Sequence, residues 1–261
     1  MAGKVSAFAT ISLNTMHIGH SVIFREKVSS TNDLAESLIR DGEGSDGMVI
    51  YSHEQVSGRG QPGNEWEGEP GMNLTMSIIL RPNFLHPEKQ FLISKVISLA
   101  LSDLLTNLAV EIKIKWPNDI YARGDKIAGI LIENSLSGNI IDYSIAGIGL
   151  NVNQVNFKSG APNPVSLRNI TGETYQVDKL IMELCTHLNW WYTRLRDGDH
   201  STIDGEYRGL LYRLDEQATY MVSGLRIQGT IRGVDRFGHL LVEDEGGTIR
   251  NFAFREIVFI P

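Results

Sequence analysis

The sequence predicts an α+β fold that ends in a small all-β unit. Three observations predict it. Apolar residues switch between strand spacing and helix spacing along most of the chain. One long segment, 87–109, carries an apolar face broad enough for a core helix. From about residue 215 the texture changes to short strands punctuated by glycine turns.

Taken in order, SVIFREKV (21–28) reads as a strand. A helix follows, with Ser30 or Thr31 as its N-cap, Leu34, Ala35, Leu38 and Ile39 on one face, and Gly42 as its stop. GMVIYS (47–52) and NLTMSIIL (73–80) are strands on either side of a glycine-rich stretch. Pro87 opens the long helix, whose core face runs from Phe91 to Leu108. Three strands come next: 111–116, 126–133 and 139–147. Arg123-Gly124-Asp125 turns between the first two and Ser137-Gly138-Asn139 between the last two. Residues 154–175 read as loop, 178–196 as an amphipathic helix, and about 201–212 as a short helix. The final strands turn near Gly224, Gly233, Gly238 and Gly246-Gly247.

A chain of 261 residues, 42% of them hydrophobic, suffices for one large domain with an appendage. Its net charge is −7 and it has no basic run, which argues against a DNA or other nucleic-acid partner. Cys185 is its one cysteine, so no intrachain disulfide forms and a reducing cytoplasm is expected. No apolar run is long enough to span a membrane, and residues 1–17 read as a tail rather than a secretion signal.

Four motifs could carry chemistry. The first, QVSGRGQPGNEW (55–66), places Arg59 between Gly58 and Gly60. Such a loop can bring backbone N–H groups and a guanidinium to a carboxylate or phosphate, with Trp66 as a flat face. The same glycine content also suits a plain surface loop. The second, KWPND (115–119), has Ile112, Ile114 and Trp116 on one face of its strand and Lys113 and Lys115 on the other. Asn118 and Asp119 then stand at the strand end. Asp119 could hold Mg2+ there, or the segment could be an ordinary turn. The third, KIAGILIE (126–133), is apolar between Lys126 and Glu133 and reads as buried on both faces. Lys126 then needs either an anionic partner or a path to water. The fourth, AGIGLNVN (146–153), has two glycines but no following helix, which excludes a dinucleotide fingerprint.

Together, SSTN, QVSGRGQPGNEW, GMNLTMS, KWPNDIY, KIAGILIE and GIGLNVN make the segment from about Ser29 to Asn153 resemble the biotin protein ligases, of the type without an N-terminal DNA-binding domain. The resemblance implies a mixed β-sheet backed by helices, a class II synthetase-like catalytic domain over 18–213, and a small C-terminal β-barrel domain over 214–261. It implies activation of biotin by ATP as biotinyl-5′-AMP, with Mg2+, and transfer to a lysine of a biotin carboxyl carrier protein domain. By the same resemblance Lys126 and Arg59 are catalytic. Ser30, Thr31, Asn32, Gln55, Gly58, Arg59, Lys126, Gly129, Gly147 and Gly149 fall on the biotin side. Arg59, Gly60, Gln61, Trp66, Asn118, Lys126 and Asn151 fall on the ATP side, and Asp119 is the metal ligand. One departure is Gln61, where many members carry a basic residue that helps cover the adenylate. Exposed sheet edges in such folds can pair into a homodimer, and the sequence leaves monomer and homodimer both open. The alternatives are a lipoate-protein ligase or octanoyltransferase of the same fold, and a non-catalytic ligand-binding module.

Overall fold

The computed structural model describes residues 16–108, 110–158 and 163–260. Strand β1 (Val22–Val28) leads into helix α1 (Thr31–Arg40). Ser30, in extended backbone, caps this helix: its hydroxyl accepts the Asn32 N–H at 3.2 Å. Strand β2 (Val49–Gln55) precedes the glycine-rich stretch and β3 (Leu74–Leu80) follows it. Pro87 opens only a single tight turn, Pro87–Lys89, and helix α2 runs Phe91–Asn107. The expected last residue of that helix, 109, lies outside the described residues, as do residues 1–15 of the expected tail.

Four antiparallel strands come next: β4 (Ile112–Lys115), β5 (Asp119–Ala122), β6 (Asp125–Ser137) and β7 (Ile140–Leu150). Strand β5 corrects the sequence reading, which ran the 111–116 strand through a turn into the next. The turn after Trp116 is real, but the chain pairs again at once, with Ile114 opposite Ile120 and Ile120 opposite Ala128. Four residues are too few to display an alternation. The seven strands form one mixed sheet in the order β1-β2-β3-β7-β6-β5-β4, in which only β1 and β2 run parallel.

The two faces of this sheet are treated differently, and the difference places the site. Met76, Ile78, Ala146, Ile148, Ala128, Ile130, Ile120 and Ile114 point to one side. There they share a buried apolar cluster with α2 and with α4 (Val177–Arg196). On the opposite side Ile50, Ile79 and Ile145 pack under Ala35 and Leu38 of α1. A ten-residue helix covers only the β2–β3–β7 end, so the remainder of that face is left open. Strand β6 is accordingly buried on one face only, not on both as its apolar run suggests: Ile127 and Ala128 are fully buried, whereas Lys126, Gly129 and Leu131 are not.

Residues 154–175 are not wholly loop. Helix α3 (Leu167–Thr171) sits there with a capping box, in which the Ser166 hydroxyl accepts the Asn169 N–H and the Asn169 side chain accepts the Ser166 N–H. A helix this short shows no apolar period, and its one sequence signal was Ser166 three residues before Asn169. Helix α4 buries Cys185 completely, and burial pushes its thiol up to about 12, as suits an inert packing residue. Helix α5 (His200–Gly209) packs beside α2.

The C-terminal strands β8 (Gln217–Val222), β9 (Leu225–Val234), β10 (Leu240–Asp244), β11 (Ile249–Phe252) and β12 (Ile257–Phe259) form an antiparallel sheet ordered β11-β10-β9-β8-β12. Gly233, expected at a turn, instead lies inside β9 opposite Leu241, where the register slips by one residue. Tyr220, Ile231, Leu240, Val242, Phe252 and Ile257 join the same apolar cluster that underlies the large sheet. The two sheets therefore share one core. The Trp116 indole N–H donates to the Gly238 carbonyl at 2.8 Å, tying β4 to the β9–β10 turn. Among the described residues no helix is long and apolar enough to cross a membrane.

Candidate active site

The open face of the large sheet holds a cavity of about 940 Å3. Strand register builds its floor. Thr75 stands opposite Gly149, Gly149 opposite Gly129, Gly129 opposite Asp119, and Asp119 opposite Lys115. Residues opposite one another across a sheet share a face, and of this row Gly149, Gly129, Asp119 and Lys115 line the cavity, whereas the Thr75 hydroxyl is buried and donates to the Ser52 carbonyl. Gly129 and Gly149 give the row a stretch without side chains. The Trp66 indole lies directly on it: a Cβ added at Gly149 would stand 2.4 Å from Trp66 Cε2, and one at Gly129 3.4 Å from Cζ3. Among the described residues the buried Trp66 indole N–H has no hydrogen-bond partner.

Lys126 reaches the same face through a bulge. Ile120 pairs with Ala128 but Tyr121 pairs with Lys126, which leaves Ile127 unpaired. In a regular pleat Lys126 would share the core side with Ala128 and Ile130. The extra residue turns it to the cavity instead. There its ammonium meets Asp119 Oδ1 at 2.7 Å, with about a fifth of each side chain exposed. This carboxylate is the anionic partner that the apolar run around Lys126 required.

Arg59 enters from the glycine-rich stretch. Its guanidinium holds Glu133 with two bonds, at 2.9 and 3.0 Å, and Asp33 at 2.7 Å. Glu133 also accepts from the Asn32 side-chain amide at 2.7 Å. Beside them lies a connected polar cluster. The Gln55 side-chain oxygen accepts from the Thr31 backbone and hydroxyl, at 2.8 and 3.1 Å. Ser77 donates to Thr31 or Asn32, with both oxygens within 2.7 Å of its hydroxyl. Gly147 makes room for this cluster, because a Cβ there would lie 2.4 Å from Asn32 Oδ1.

Residues 58–66 form a small hairpin over the cavity, with Arg59 bridged to Glu65 and the Gly60 N–H donating to the Asn64 carbonyl at 3.0 Å. Of the residues the sequence singled out, Ser30, Thr31, Asn32, Gln55, Arg59, Gly60, Gln61, Trp66, Asn118, Asp119, Lys126, Gly129, Gly147 and Gly149 line one cavity. Gly58 and Asn151 do not. Gly58 is buried under the Trp66 carbonyl at the base of the hairpin, and the Asn151 amide is committed to the Val165 carbonyl at 3.0 Å. Asn118 lines the cavity, yet its amide is also used structurally, donating to the Ile130 carbonyl at 2.8 Å.

The sequence reading missed one whole wall. Lys115, Tyr121, Tyr212, Arg213 and residues 254, 255 and 257–260 also line the cavity. Lys115 Nζ lies 2.8 Å from the Tyr121 hydroxyl and over the Tyr121 and Phe259 rings. Burial pulls the pKa of this lysine down, partly opposed by Asp119. Lys115 had a signal, since it opens the KWPND motif. The C-terminal residues had none, because only tertiary packing brings them to the site. The cavity lining as a whole carries five cationic side chains (Arg59, Lys115, Lys126, Arg213 and Arg255) against two carboxylates, Glu65 and Asp119. In a chain of net charge −7 this is a local positive focus, suited to anionic ligands.

Comparisons with known proteins place the chain among relatives of one family. A family model described as the biotin/lipoate A/B protein ligase family matches residues 24–151. A biotin–[acetyl-CoA-carboxylase] ligase from Paracoccus denitrificans is 30% identical, over 85% of this chain and 93% of that protein. The bifunctional ligase/repressor BirA of Escherichia coli is 27% identical, over 87% of this chain and 71% of its own. The structure of a biotin protein ligase from Aquifex aeolicus in complex with biotin and ATP superimposes with a TM-score of 0.76 at 26% identity, covering 91% of this chain and 97% of that one.

Proposed function

Because the chain belongs to the biotin protein ligases of the biotin/lipoate A/B protein ligase family, we propose that its cavity is where biotin and ATP meet, and that the biotinyl group passes to a lysine of a carboxylase-type carrier domain. The activity is ATP-dependent biotinylation. The biotin carboxylate attacks the α-phosphate of ATP, giving biotinyl-5′-adenylate and pyrophosphate. A protein lysine then attacks the mixed anhydride, giving an amide and AMP.

The observation that carries the residue assignments is the side-chain-free floor at Gly129 and Gly149, flanked by Lys126 and Arg59 in one cavity. Two anions must approach each other for the first step, and preorganised cations lower the cost of that approach. Lys126 is the cation we assign to the reacting carboxylate and phosphate. Arg59 contributes charge from the hairpin, and its ties to Glu133 and Asp33 fix its position. The cluster of Ser30, Thr31, Asn32, Gln55 and Ser77 offers donors and acceptors for a ureido ring. Trp66 separates this cluster from the wall of Lys115, Asn118 and the C-terminal strands, which takes the nucleotide. Asp119 is the carboxylate we assign to Mg2+. Among the described residues no three His, Cys, Asp or Glu side chains converge to hold a metal ion, and in this assignment Asp119 would supply one ligand oxygen and the phosphates further ones. Bound there, the ion would add positive charge at the phosphate. A cytoplasmic location is part of this reading and suits a chain whose one cysteine is a buried thiol.

Mass spectrometry of a purified carrier domain tests the assignment of acceptor and vitamin. After incubation with enzyme, ATP, Mg2+ and biotin we expect one biotinyl group on one lysine. Lipoylation in a parallel reaction, with no biotinylation, would favour the lipoate-type alternative.

A further inference from the structure

We propose that Arg255 is a positioning residue: from the β11–β12 turn it latches the 58–66 hairpin over the cavity and so retains the activated intermediate. What is retained rests on the biotin–ATP reading above, whereas the latch itself rests on geometry alone. The base of the hairpin is anchored through Trp66, whose N–H donates to the Gly58 carbonyl at 2.9 Å and whose ring lies on the Gly149 floor. Its tip, at Pro62, is tied across 193 residues of sequence by the Arg255 guanidinium, which donates to the Pro62 carbonyl.

Two features mark this contact as more than a surface bond. Arg255 has φ +73, in the left-handed region that glycine occupies freely and L side chains adopt at a cost. A glycine would make the turn without strain, yet a long cation stands there, and strain of this kind persists where the side chain has a use. The turn is also well seated. Arg255 lies by the Phe254 ring, and Phe254 packs edge-on against Trp116, which is itself fixed to Gly238. Among the described residues Arg255 has no ion-pair partner, so its charge faces the hairpin and the cavity without being neutralised. A charge-assisted bond to a carbonyl is among the stronger single hydrogen bonds.

The test compares wild type with Arg255→Gly and Arg255→Lys. Glycine removes the guanidinium while relieving the backbone, so this variant keeps its fold, and its melting temperature should equal or exceed that of wild type. Enzyme loaded with biotin and ATP, then freed of excess ligand, should release biotinyl-adenylate about tenfold faster in Arg255→Gly, the scale for one charged hydrogen bond. Arg255→Lys, which keeps a cationic donor, should stay within about threefold of wild type. Without any ligand, proteolytic cleavage within 58–66 should also rise about tenfold in the glycine variant. Unchanged release and unchanged cleavage would overturn the latch, as would a lysine variant that leaks as fast as the glycine one. If wild type makes no adenylate, the biotin–ATP reading fails instead, and the ligand-free cleavage alone decides the latch.

Discussion

Lys126→Ala is expected to lower biotin-dependent ATP–pyrophosphate exchange by about 10²-fold or more, the scale for removing one preorganised stabiliser of developing charge. The β6 bulge delivers this ammonium to the cavity face, and Asp119 holds it there at 2.7 Å. Truncation acts twice: it removes the attracting charge and leaves the Asp119 carboxylate to repel the incoming anions. The second contribution can be separated. In a double-mutant cycle with Asp119→Asn, recovery of part of the Lys126→Ala loss would show the orphaned carboxylate repelling substrate, whereas a further loss would show Asp119 serving the Mg2+ assigned to it. An exchange rate within threefold of wild type for Lys126→Ala would remove this residue from the chemistry. Stability should change little, because both side chains retain solvent contact and screening weakens such pairs.

Gly149→Ala is expected to cost about 10²-fold in exchange and about 1–3 kcal/mol in stability. One methyl group suffices because its carbon would fall 2.4 Å from Trp66 Cε2 and 2.5 Å from Cζ2. An indole is rigid, so it must leave the floor, and the hairpin carrying Arg59 moves with it. The cause can be checked in a Trp66→Ala background. There Gly149→Ala has nothing to strike, so its additional effect on both exchange and thermal denaturation should largely vanish. A penalty that persists undiminished without the indole would mean that this is not the contact the glycine serves.

Much of this architecture is legible in the residues. The cap at Ser30, the stop at Gly42 and the strand alternation of Ile112, Ile114 and Trp116 each follow from local physics and recur in the structure. The glycine-rich stretch and the KWPND and KIAGIL motifs by themselves mark out much of the cavity lining. What stays hidden has a common physical character. Strand β5 and helix α3 are too short to display a period. The bulge at Ile127 is a register event, visible only when two strands are paired, yet it decides which face Lys126 serves. Arg59 reads as a free cation in sequence, whereas the fold brings Asp33 and Glu133 to it from α1 and β6. The wall formed by Tyr212, Arg213 and residues 254, 255 and 257–260 depends on how the second sheet docks, and no local pattern encodes that docking.

Central to all of this is that cations from separate segments converge on one cavity so that the acid of biotin can react with ATP. The most direct measurement is isotope exchange between pyrophosphate and ATP on the purified full chain, with biotin, lipoate or neither present. We expect exchange that requires biotin, saturates with it and falls sharply with Lys126→Ala. Exchange driven by lipoate and indifferent to biotin, or none with either acid, would contradict it.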